Sequence, residues 1–128
     1  MRLLLDTHLL IWGGYQPSRI STAGARLIDD RSNEVFFSAA SIWEIAIKAG
    51  LVRADFAVDP PALRAGLLAQ DYQEVPVTGD HALAVAALPL HHRDPFDRIL
   101  VAQAACEGLC LLTMDAQLTC YPGHIRLV

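Results

Sequence analysis

The chain opens on Leu3-Leu4-Leu5, an unbroken apolar run stopped at Asp6, and such a run suits a strand covered on both faces. Four further segments carry short-strand character: Glu34-Val35-Phe36-Phe37-Ser38, Tyr72-Gln73-Glu74-Val75-Pro76, Leu109-Cys110-Leu111-Leu112-Thr113 and Ile125-Arg126-Leu127-Val128. Helical signals fill the intervals. Ser21 is placed to cap a helix reaching Asp30, Ala39 to Ala49 reads as a helix stopped by Gly50, and Pro61 to Gln70 as another. Gly79 to Leu88 follows, then Pro95 to Glu107, which Gly108 ends. Shorter helices are expected from Thr7 to Trp12 and from Ala116 to Cys120. Alternating strands and helices predict a parallel α/β sheet joined by right-handed crossovers. With no internal repeat, low-complexity tract or linker, residues 1–128 read as a single domain with one core.

Open parallel sheets bind ligands beyond the carboxyl ends of their strands, near the point where strand order reverses. The first predicted strand delivers Asp6 and Thr7 to that edge, the second Ser38, and the fourth Thr113 followed by Asp115. Carboxylates and hydroxyls thus gather where a nucleotide-binding sheet carries a glycine-rich loop. Neither G-x-G-x-x-G nor G-x-x-x-x-G-K-[ST] occurs, which argues against Rossmann cofactor binding and P-loop chemistry.

Each acid also has a plainer role. Asp6 could simply cap the helix that follows it, but an isolated carboxylate in a partly dry crevice is costly without a cation or hydrogen bonds, so the functional reading is preferred. Glu44 shares a narrow polar stripe with Ser41 and Lys48 on a helix that is apolar nearly all round. A surface pair of Glu44 with Lys48 at i, i+4 fits the spacing as well as a site acid does. Asp94 before Pro95 reads as an N-cap. Asp97, at the third helical position, is favourable near the positive end of the helix dipole, yet it heads the arc of Leu100, Val101 and Ala104 that should face the sheet. The functional reading is preferred for Asp97. Asp115 fits either a cap for Ala116 to Cys120 or a site role.

Composition narrows the chemistry. Hydrophobic residues form 53% of the chain, enough to set disorder aside, and no apolar run reaches the length of a membrane span. A soluble cytoplasmic protein is expected. A formal charge of −4 excludes a broad basic surface for nucleic acid, so any such binding must rest on a local site. Cys106, Cys110 and Cys120 contain no C-x-x-C pair and read as buried free thiols. Four acids from distant segments at one edge would repel one another unless a divalent cation neutralised them. Hard carboxylate oxygens select Mg²⁺ or Mn²⁺, since no histidine or cysteine is spaced as a zinc ligand set. His81, His91, His92 and His124 read as helix-end or surface residues, His8 as a residue near the rim of the site, and Trp12, Trp43 and Phe96 as core.

Leu3-Leu4-Leu5-Asp6-Thr7-His8, Ser-x-x-Ser-x-x-Glu within Ser38 to Lys48, His92-x-Asp94-Pro95-Phe96-Asp97-Arg98 and Leu112-Thr113-x-Asp115 together resemble, in order and spacing, the signature segments of VapC-type PIN domains. The resemblance implies a PIN-like three-layer α/β/α sandwich on a roughly five-stranded parallel sheet. It also implies Mg²⁺- or Mn²⁺-dependent endoribonuclease activity as the toxin half of a toxin–antitoxin pair. Asp6, Glu44, Asp97 and Asp115 occupy the acidic positions of that family, with Asp6, Asp97 and Asp115 as ligands and Glu44 as ligand or water-positioning group. Thr7, Ser38 and Thr113 are supporting hydroxyls. Arg98 is a candidate phosphate contact, with a salt bridge to a neighbouring acid as its plainer role. The implied partners are RNA, a VapB-type antitoxin and a second copy of the chain. A PIN fold that binds RNA or a partner without cleaving is the alternative. A receiver domain would need a paired acid after the first strand and a lysine after the last, and a haloacid-dehalogenase-like phosphatase would need Asp-x-Asp; the chain has none of these.

Overall fold

The computed structural model describes residues 1–51, 57–91 and 93–128, so His92 lies outside the described residues. Five strands form one parallel sheet: β1 (Arg2–Leu5), β2 (Glu34–Ser38), β3 (Gln73–Val75), β4 (Cys110–Thr113) and β5 (Ile125–Leu127), in the order β3-β2-β1-β4-β5. The apolar run Leu3-Leu4-Leu5 lies at the centre with all three side chains buried, flanked by Val35-Phe36-Phe37 and Cys110-Leu111-Leu112, which are likewise apolar on both faces. Successive side chains point to opposite faces, so Leu3 and Leu5 join one core with Phe37, Leu112, Leu9, Ile45, Leu63 and Leu67. Leu4, with Phe36 and Leu111, joins the other, against Leu100, Val101, Ala104 and Leu118. Each such leucine withdrawn from water contributes roughly 1.5–3 kcal/mol.

Helices α1 (Thr7–Tyr15), α2 (Thr22–Asp29), α3 (Ala39–Gly50) and α4 (Pro60–Ala69) cover the first face, while α6 (Pro95–Glu107) and, packed on it, α5 (Gly79–Ala86) cover the second. Crossovers keep one hand, so the chain must change faces when it stops adding strands beyond β2 and returns to the other side of β1. That reversal lies between β1 and β4. The result is the expected α/β/α sandwich.

Differences from expectation are local. α1 continues through Gly13 and Gly14 to Tyr15, past the predicted end at Trp12. Packing overrides the low propensity of the pair: a side chain at Gly14 would stand 3.0 Å from Leu63 Cδ1, so glycine permits the close approach of α4. Gly50 is the last residue of α3 rather than its stop, and Asp59 caps α4 one residue earlier than predicted. Gly108 ends α6 in the left-handed region at φ 66°, as its position suggested. Ala116–Cys120 forms a 3-10 turn, and another at Pro17–Arg19 was not anticipated. Cys106 and Cys120 are exposed and only Cys110 is buried, because the last turn of α6 and the 3-10 turn lie outside the core. Among the described residues no helix is long and apolar enough to cross a membrane.

Candidate functional site

Asp6 stands at the end of β1, where its backbone N–H completes the ladder to the Leu112 carbonyl at 3.1 Å. Its carboxylate performs two local tasks. Oδ1 accepts the Leu9 N–H at 2.9 Å and caps α1, while Oδ2 accepts the Thr113 hydroxyl at 2.7 Å. The second bond joins the ends of β1 and β4 across the point of strand reversal. Burial pushes the Asp6 pKa up, against the opposing pull of the Thr113 hydroxyl, the Leu9 N–H and His8. The fold therefore holds a carboxylate where its charge is poorly solvated.

Thr113 Oγ1 also accepts the Asp115 N–H at 3.0 Å, so one hydroxyl fixes both acids. Asp115 Oδ1 accepts the Gln117 N–H at 2.9 Å, which is the capping role left open by the sequence. On the other side of Asp6, the Thr7 hydroxyl donates to Ser41 Oγ at 3.0 Å and ties the start of α1 to α3. Ser38, fully buried, caps α3 by accepting the Ala40 N–H at 3.0 Å.

Glu44 lies one turn beyond Ser41 and is buried, 5% exposed, yet it also forms the i, i+4 pair with Lys48 at 2.9 Å. The pair read from the spacing therefore forms, with its acid buried rather than on the surface. The inward face of α3 carries the polar stripe of Ser41 and Glu44 beside the apolar Ala40 and Ile45, while Trp43 and Ile47 are exposed. Trp43 is therefore not core; its indole meets the Phe96 ring edge-on at 5.3 Å, which fastens α3 to the start of α6.

At that start Asp94 is the N-cap, its Oδ1 accepting the N–H groups of Phe96 at 2.9 Å and Asp97 at 3.4 Å. Asp97 occupies the first turn of α6, half-buried. A crossover helix returns the chain against the strand direction, so this turn belongs to the same edge as Asp6. Arg98 points elsewhere. Its guanidinium donates to the carbonyls of Val85, Leu88 and Pro89 at 3.0, 3.4 and 3.0 Å and to the Tyr121 hydroxyl at 3.3 Å. These bonds clasp the carbonyls at and just beyond the end of α5 and give Arg98 a structural role beside the phosphate contact suggested for it.

His81 takes the helix-end place of its two expected readings, though not at the surface. It is buried, completes a capping box with Thr78, and holds Glu107 through Nε2 at 2.8 Å. Ser41 was missed as a supporting hydroxyl, although Ser-x-x-Ser-x-x-Glu placed it one turn from Glu44. Among the described residues, no three acidic, histidine or cysteine side chains stand together as a ready cage for an ion. What the site does offer an ion is hard oxygen: the buried Asp6 carboxylate, and Glu44 Oε1, which is buried with no hydrogen-bond partner among the described residues. A groove of about 540 Å³ lies apart from these acids, lined by Leu9, Leu10, Ile20, Leu63 and Leu67.

Residues 3–122 match the model of the PIN domain family. The chain is 32% identical over 117 residues to Ribonuclease VapC22 of Mycobacterium tuberculosis, covering 91% of this chain and 88% of that one. Its fold matches the structure of VapBC2 from Rickettsia felis bound to a DNA fragment from their promoter, with a TM-score of 0.75 at 11% identity over 99% of this chain and 98% of that one. It also matches VapBC-5 from Mycobacterium tuberculosis, with a TM-score of 0.61 at 21% identity over 99% and 97% of the two chains. The sequence match across nearly all of the sheet and its crossovers identifies the chain as a member of the PIN-domain family, of the VapC type.

Proposed function

We propose that this chain is the toxin of a type II toxin–antitoxin pair, a Mg²⁺- or Mn²⁺-dependent endoribonuclease that hydrolyses RNA phosphodiester bonds at the edge marked by Asp6. The observation that carries the reading is the buried Asp6 carboxylate bonded to Thr113 at 2.7 Å across the point of strand reversal, in a chain of this family. Asp6, Asp97 and Asp115 are the acids assigned to hold the cation, with Glu44 beside them as ligand or water-positioning group. A bound divalent cation supplies an acidified water and positive charge for the phosphate. Thr113 keeps the Asp6 carboxylate oriented toward the strand ends and fixes the backbone of Asp115. Thr7, Ser41 and Ser38 hold the first turn of α3, and with it Glu44, in register. The substrate reacts in line: water adds to phosphorus as the bond to the departing ribose oxygen breaks.

The cellular partner in this reading is a VapB-type antitoxin, and the active form is a homodimer in the cytoplasm. The second reading is a PIN fold that binds RNA or a partner without cutting. Purified protein, freed of any partner, decides between them. Cleavage of RNA that requires Mg²⁺ or Mn²⁺, stops with EDTA and is lost in Asp6→Asn supports the nuclease. Cleavage that persists in chelator, or that Asp6→Asn leaves intact, refutes it. Expression without an antitoxin should arrest a bacterial host, and Asp97→Asn should relieve the arrest.

A further inference from the structure

Lys48 is the single lysine of the chain, and its ammonium is spent on Glu44. Its side chain is 40% exposed where that of Glu44 is 7% exposed, so the pair reaches from the crevice to solvent. The Glu44 carboxylate is unevenly served: Oε2 receives Lys48 at 2.9 Å, while Oε1 is buried with no partner among the described residues. In the metal-free chain the ammonium offsets the cost of burying this carboxylate. Position ties the pair to the Asp6 edge. Ser41, one turn earlier on the same stripe, is bonded to Thr7, the neighbour of Asp6.

Resting on the nuclease reading, we propose that Lys48 is a substrate-positioning residue that trades partners. In the metal-free chain its ammonium neutralises Glu44; when a divalent cation takes that carboxylate, the ammonium turns on its exposed stem to the RNA phosphate. Two cations beside one carboxylate repel each other, most strongly where water is scarce. A lysine is suited to the exchange, because its compact charge rides on a flexible four-carbon stem with three rotatable donors. The displaced ammonium then offsets phosphate charge, the sequence-independent contact that holds register on a nucleic acid.

The exchange predicts effects of opposite sign. Removing the ammonium should let the cation bind more tightly and the RNA less tightly. Mn²⁺ alone is titrated against the melting temperature of the full chain for wild type, Lys48→Met, Lys48→Gln and Lys48→Arg. The Michaelis parameters are then measured on a single-stranded RNA oligonucleotide. Both neutral variants should reach half their Mn²⁺ shift at roughly threefold to tenfold lower concentration. Their KM should rise roughly tenfold, with the loss falling mainly on KM. Lys48→Arg should return KM toward wild type. A merely structural role would weaken metal and RNA binding together. A midpoint that is unchanged or raised in both neutral variants, or an unchanged KM, overturns the role of Lys48 while wild-type cleavage leaves the nuclease reading standing. Absence of cleavage by wild type overturns both.

Discussion

Asp6 concentrates the tension of the site in one side chain. Because burial raises its pKa, folding favours the protonated acid. Its contribution to stability is fully present below the unfolded value near 3.8 and is lost as pH rises through the higher folded value. At neutral pH the charge is therefore a burden that the hydrogen bonds only partly offset. Asp6→Asn can still cap α1, so metal-free Asp6→Asn should melt at a higher temperature than wild type at pH 7, and the gap should close as pH falls toward 4. Melting curves across that range check it; a variant less stable at every pH would contradict it. Thr113→Val tests the partner. It keeps the shape and removes the hydroxyl that serves both the buried carboxylate and the Asp115 N–H, at about 1.5–3 kcal/mol in denaturant unfolding.

Helix α6 shows how one element start divides its acids between folding and chemistry. Asp94 receives two backbone N–H groups, so Asp94→Ala should cost about 0.5–2 kcal/mol while RNA cleavage survives wherever the variant is folded. Asp97→Asn should do the reverse, sparing stability and losing cleavage. If Asp97→Asn cleaves normally and Asp94→Ala does not, the two roles must be exchanged. One turn further, Arg98 binds α6 to the end of α5 through three carbonyls. Arg98→Met should cost about 1.5–3 kcal/mol and speed amide exchange in α5. A stable Arg98→Met with reduced affinity for RNA would instead return this side chain to the substrate.

Across the whole molecule the acids are linked to stability through the cation they are proposed to share. A ligand that binds only the folded chain stabilises it by about 2.7 kcal/mol at a concentration one hundred times its Kd. Mg²⁺ or Mn²⁺ should accordingly raise the wild-type melting temperature, and Asp6→Asn and Asp97→Asn should each show a smaller rise. No rise in wild type would favour the non-cleaving PIN fold. Sheet order is what makes such coupling possible: β1 is central, its neighbours β2 and β4 come from distant stretches of chain, and their ends meet at Thr7, Ser38 and Thr113.

By itself the sequence determined the elements, because their causes are local. The apolar run before Asp6 has to be a covered strand, Asp94 before Pro95 has to start a helix, and Gly108 can adopt the left-handed residue that ends it. The candidate acids were legible for the same reason: each stands at the end of a strand or in the first turns of a helix. The bond between Thr113 and Asp6, which lie 107 residues apart in the chain, was not legible, since it depends on strand order. Nor was the inward turn of Glu44, because period alone gives the stripe on α3 and not the face that meets the sheet. Arg98 shows the limit most plainly. Asp94 and Asp97 precede it closely in sequence, yet it also reaches the carbonyls of Val85, Leu88 and Pro89 and the Tyr121 hydroxyl, which only the packing of α5 on α6 brings to it.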